Sequence, residues 1–243
     1  MFRFLIALSL LIPNFGYAYE CNEEIDKISA ENNVGIFCKK SSVEAREDFE
    51  FEEADEEMIL KATPAIKKFF SSYNKSFLNS LESLMLFKNI NYLKSGVAGL
   101  HHDKTIWLCL ENVPQERANR LYLKVLHHEF SSGVYDQISY YKKLIWKKIN
   151  YAYKYTVAFL KKCLNDPNFS NATSDKLLSE GFLINYSLTD DENDFNVYAE
   201  MLFTDPEKLK NLKMSHQLIK VKLEKVKEFY RDAGFKGKFP DET

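Results

Sequence analysis

Two hydrophobic periods run through this chain, and the helical one dominates. Ile66, Phe69 and Phe70 recur at helical spacing behind Thr63-Pro64, a pair that reads as an N-cap with proline at the first helical position. Phe77, Leu81, Leu84 and Met85 share one face of a second predicted helix over residues 76–87. Gly96 and Gly99 punctuate the chain before its clearest strand, residues 105–110, where β-branched and aromatic side chains gather. Asn112 to Pro114 opens a helix that runs through Arg120, Leu123, Leu126 and Phe130, and residues 140–164 read as one long helix. Beyond a polar loop at 166–174, helices are expected near 175–184, 191–203 and 206–231. With a short strand at 34–38, the pattern predicts an α+β protein, predominantly helical, with a small sheet.

The first eighteen residues do not fit that pattern. Arg3 precedes an apolar run, residues 4–12, interrupted by Ser9 alone; Pro13 and Gly16 then break it, and Gly16-Tyr17-Ala18 has the small-x-small form of a cleavage site. Such a run is far shorter than the roughly 20 residues that span a bilayer, so it reads as a signal peptide and places the protein in a secreted or periplasmic location. No later stretch is apolar for long enough to span a membrane once the signal is removed. Residues 19–60 read as an N-terminal extension, 61–235 as a helical domain and 236–243 as a C-terminal tail. Residues 44–57 carry nine acidic side chains against Arg46, a solvated acidic stretch.

Charge narrows the functional classes. Seven lysines between Lys142 and Lys162 interleave with Tyr141, Trp146, Tyr151, Tyr153, Tyr155 and Phe159, a composition that also suits single-stranded nucleic acid. The formal net charge of −2 and the export signal favour the other reading, an amphipathic helix with aromatics inward and lysines in water, and no nucleic-acid partner. Export also permits disulfides. Cys21 and Cys38 bracket a short segment and are the preferred pair, whereas Cys109 lies in an apolar strand pattern and reads as a buried thiol.

The chemistry-bearing residues are His127-His128-Glu129-Phe130-Ser131-Ser132, inside the helix after the strand. A His-Glu-x-x-His helix holds zinc because two histidines four apart present both rings to one ion, while the glutamate polarises the bound water. Here His128 and Glu129 fill the first two positions, but Ser132 stands where the second histidine belongs, and a neutral hydroxyl is a weak zinc donor. His127 points about 100° away around the helix. His101 and His102 either complete the site or form a polar turn, and His216 reads as a surface residue.

Together with the downstream run from Glu192 to Glu200, these residues resemble the zincin metallopeptidases, most closely the gluzincin branch related to anthrax lethal factor-like peptidases. The resemblance implies a zincin-like domain with a zinc cofactor, hydrolysis of a peptide or protein substrate, and Glu129 as catalytic base. In that group a downstream helix of the Glu-x-Phe-Ala type supplies a third ligand. Alignment on Phe195 puts Asn193 at that position, so His128 and either Glu192 or Asp194 would hold the metal, Glu200 would orient a ligand, and Tyr198 would face the cleft or pack in the core. The alternative implied by Ser132 is a catalytically inactive exported binding protein on a degenerate peptidase scaffold.

Overall fold

The computed structural model describes residues 21–39, 49–92, 95–111, 113–149 and 156–242. Residues 1–18, and with them the expected signal peptide, lie outside it. The first described elements are helix α1 (Glu23–Asn32) and strand β1 (Gly35–Phe37), tied together by a Cys21–Cys38 disulfide. Ile25, Ile28, Val34 and Ile36 lie in the same core as the helices downstream, so these residues are packed with the body of the protein. Strand β2 (Phe49–Glu53) follows within the acidic stretch. Its Phe51 turns inward onto Phe87 and Trp107, with ring centroids 4.4 and 5.5 Å away, while the neighbouring Glu50 and Glu52 stay in water.

Helix α2 (Glu56–Ser71) begins a full two turns before Thr63, where a start was expected. Asp55 is the true cap, accepting from the Met58 amide at 2.9 Å, and Glu56 and Glu57 complement the positive helix end. Pro64 therefore sits inside the helix, and its face of Ala62, Ala65, Ile66, Phe69 and Phe70 is buried deeply enough to hold it there. The predicted helix over 76–87 is also corrected. A single turn, α3 (Lys75–Leu78), gives way to the longest strand, β3 (Ser83–Tyr92), in which Leu84 and Leu86 alternate into the core.

Strands β4 (Ser95–Gly96), β5 (Gly99–His102) and β6 (Thr105–Cys109) complete a six-stranded mixed sheet. Its main path is β1-β3-β6-β5, with β2 and β4 also pairing to β3. β1 and β6 run parallel to β3, and β5 runs antiparallel to β6 with Gly99 opposite Leu108 and His102 opposite Thr105. His101 and His102 are thus strand residues; the turn is made by Asp103 and Lys104, both at positive φ. Phe87, Ile90 and Trp107 cover one sheet face. The helices cover the other.

Chief among these is α4 (Gln115–Gln137), which packs under β5 and against α2. The long helix expected over 140–164 is two helices, α5 (Tyr140–Ile149) and α6 (Val157–Asn165), the second capped by Thr156. Tyr151, Tyr153, Lys154 and Tyr155 lie outside the described residues. The polar loop contains a short helix, α7 (Pro167–Ser170), and is followed by α8 (Asp175–Ser179) and a 3-10 turn at Asn185–Leu188. Helix α9 (Asp191–Thr204) lies against α4, and α10 (Pro206–Ser215) and α11 (Gln217–Asp232) close the domain. The architecture is α+β and predominantly helical, with a small sheet. Among the described residues no helix is long and apolar enough to cross a membrane.

Candidate functional site

Adjacent residues on α4 enter opposite environments. His127 is wholly buried, accepts from or donates to the Tyr73 hydroxyl at 2.8 Å, and stacks on Phe203 at 4.8 Å. Burial disfavours the charged ring and lowers its pKa to about 3, so it is a neutral core residue. His128, one step round the helix, faces α9. Its Nδ1 lies 3.3 Å from Glu200 Oε2 and its Nε2 3.4 Å from Asn193 Oδ1.

The direction of the second bond is settled by the amide. Asn193 Nδ2 already donates to Asp190 Oδ2 at 2.6 Å and to Thr189 Oγ1 at 3.0 Å, which leaves its oxygen to face the ring. A proton on Nε2 would point to the Asn193 oxygen, and one on Nδ1 to the Glu200 carboxylate. Burial opposes the charged form, but the Glu200 bond, the Glu129 and Glu200 charges and the Asn193 bond outweigh it and raise the pKa of His128. The ring bridges one helix to another, with a partner at each nitrogen.

Glu129 lies beneath β5. A Cβ on Gly99 would collide with Val125 Cγ1 and come within 2.9 Å of Glu129 Cγ, so the strand can cross at this height only with glycine there. Burial, chiefly, lifts the Glu129 pKa to about 7; the Glu192 and Glu200 charges add to the rise, and His128 and the His101 backbone N–H oppose it. The His101 ring lies against Gly133, with Nδ1 4.0 Å from Asp136.

One turn beyond His128, Ser132 is buried and accepts from Asn196 Nδ2 at 2.8 Å. Ser131 donates to Asn196 Oδ1 at 2.7 Å, so the asparagine is held at both ends. Glu192 also bonds the Ser132 hydroxyl, and burial raises its pKa. Of the carboxylates singled out in the sequence, Glu192 and Glu200 thus reach this cleft and Asp194 does not. Asp194 lies about 100° round α9 from Asn193, fully buried, where Lys222 Nζ approaches it to 2.7 Å. Tyr198 packs in the core, donating to the Gly181 carbonyl at 2.9 Å, and His216 lies between α10 and α11.

Sequence reasoning overlooked Asn196 and Ser131 because the search was for charged or imidazole donors. The available signal was spacing: Asn196 precedes Glu200 by one helical turn, as His128 precedes Ser132. The donor set does not fit a catalytic zinc ion, which takes three ionised or imidazole protein ligands. Ser132 and Asn196 are neutral and bonded to each other, and both His128 nitrogens are occupied. Among the described residues no three His, Cys, Asp or Glu side chains converge as a metal would require.

No protein-family model matches the chain, and no curated protein matches it. A solved structure does: a candidate zinc-binding metallo-peptidase from Bacteroides caccae, with a TM-score of 0.59 over 86% of this chain and 85% of that one, at 17% identity. The chain accordingly shares the fold of that structure.

Proposed function

We propose that this protein is an exported, non-catalytic binding protein built on the fold of that structure, with neutral side chains, Ser132 and Asn193, at two ligand places and Ser132 tied up by Asn196. The observation that carries this reading is the bond from Asn196 to Ser132, with Ser131 securing the far end of the same amide. Ser132 stands at the second ligand place and Asn193, whose oxygen lies 3.4 Å from His128 Nε2, at the third, and both are neutral. The ring itself ties α4 to α9. A peptide is the proposed occupant, since β5 ends the main path of the sheet and lies over the cleft, where an extended segment can add to its outer edge. The Cys21–Cys38 disulfide supports an oxidising compartment, secreted or periplasmic.

Zinc content decides it. Protein purified from an exporting host and dialysed is expected to hold less than about a tenth of an equivalent by elemental analysis. Stoichiometric zinc, lost in His128→Ala, would overturn the reading. It would favour instead the peptidase with His128 and Glu192 as ligands, for which the Glu129 pKa of about 7 is the supporting observation, because a general base works best near ambient pH.

A further inference from the structure

The stripe of α4 that carries His128 continues, one and two turns earlier, through Lys124 and Arg120. A cavity of about 200 Å³ opens beside them, between α4, the end of α9 and the start of α10, where Lys208 reaches it from the opposite side. Ile184 and Met201, both buried, form an apolar wall, and Glu200 closes the end nearest His128.

The charges around this cavity are unevenly matched. Lys124 is compensated by Glu200 Oε1 at 3.0 Å and Asn171 Oδ1 at 3.1 Å. Asp205 caps α10, accepting from the Lys208 backbone amide. The side chains of Arg120 and Lys208 are exposed and form no ion pair among the described residues, yet both border the same apolar-walled recess.

We infer that this cavity is a carboxylate-binding site, taking one carboxylate group on a short aliphatic stem: an aspartate or glutamate side chain of a peptide, or one end of a free dicarboxylic acid. The planar Arg120 fork matches a carboxylate, the Lys208 ammonium supplies a second donor, and Ile184 and Met201 receive the methylenes. Glu200 and Asp205 at the margins disfavour an anion that concentrates two charges on one group, such as hydrogen phosphate. None of the three cations takes part in the Ser132–Asn196 contact. The two that carry the proposal, Arg120 and Lys208, form no hydrogen bond or ion pair with His128 among the described residues, although Glu200 borders both places.

The test is calorimetric titration of the whole purified protein with glutarate, with N-acetylglutamic acid α-amide, with the neutral isostere N-acetylglutamine amide and with inorganic phosphate. At least one carboxylate probe is expected to bind at a single site, about tenfold more tightly than the isostere. Arg120→Gln and Lys208→Gln alter exposed side chains, so the fold should persist; each should weaken that binding about tenfold, and added salt should weaken it further. Preference for glutarate identifies a free diacid, and preference for the glutamic amide an acidic peptide; either supports the site. No saturable carboxylate binding up to about 20 mM, equal affinity for the isostere, tighter binding of phosphate, or unchanged affinity in both variants would overturn it.

Discussion

Asn196 donates its side-chain amide to Ser132 across 2.8 Å, joining α9 to α4 one helical turn from His128. The pair satisfies two buried polar groups with each other, so neither is left seeking a partner and neither is a good metal donor. Restoring the donors together is the direct test of this account. Ser132→His with Asn193→Glu, the position that alignment on Phe195 gives to the third ligand, should raise zinc content from less than a tenth to about one equivalent, with each single change giving far less. Elemental analysis after dialysis reads the outcome; a double variant that folds and stays zinc-free would mean the backbone spacing is unsuited to a metal.

Asp194 and Lys222 make a fully buried ion pair at 2.7 Å, with Lys222 also donating to the Gly181 carbonyl at 2.7 Å and lying over the Phe182 ring. Burial lowers the lysine pKa while Asp194 opposes the shift. Lys222→Met removes the cation and should cost about 3–5 kcal/mol, whereas removing both charges as Asp194→Leu with Lys222→Met should come close to the parent stability. Urea denaturation of the three proteins measures this. Equal losses in the single and double variants would show that packing, and not the stranded carboxylate, sets the cost.

Reducing the disulfide should destabilise the protein by roughly 3 kcal/mol, because the loop it closes regains its freedom in the unfolded chain. Its cysteines are 17 residues apart. Denaturant midpoints of the parent and the Cys21→Ser/Cys38→Ser variant provide the comparison. α1 and β1 belong to the main core, so the transition should remain a single step; a separate early phase would mean this segment unfolds on its own.

Two buried groups two positions apart on α4 should drive stability in opposite directions with pH. His127 has its folded pKa depressed to about 3, so the unfolded chain takes up its proton first and stability falls as pH drops below about 6.5. Glu129 has its folded pKa raised to about 7, so the native state holds its proton more tightly. Its contribution is complete below the ordinary glutamate value of 4.5 and is lost as pH rises through about 7. Glu129→Gln should flatten the slope between pH 5 and 8, and His127→Gln the slope on the acid side. Thermal melts across pH give both; an unchanged alkaline slope in Glu129→Gln would show that this carboxyl is not the group responsible.

Much of the fold was legible where one period stood alone. The Thr105–Cys109 strand combines β-branched and aromatic residues in a short run, and the helix after it carries a clean apolar stripe. Residues 76–87 misled because Phe77, Leu81 and Leu84 satisfy helical spacing while Leu84 and Leu86 also satisfy alternation, and only pairing with β1 and β6 decides between the two. The start of α2 was hidden inside what looked like a solvated acidic run, so that Asp55, Glu56 and Glu57 were read as charge and not as a cap. At the site, His128 and Glu129 were visible because their relation is local. Asn196 was not, because its meaning lies in a contact 64 residues away in sequence and its chemistry is neutral.

Gly99 sets the height at which β5 crosses α4, since a single added carbon there would meet Val125 and Glu129. The aperture of the cleft is therefore a joint property of a bare strand position and of the Val125 and Glu129 side chains beneath it. A scaffold of that kind can be re-equipped by exchanging the other side chains beneath a strand that stays where it is. The same gauge would also exclude any redesign that places a side chain at position 99.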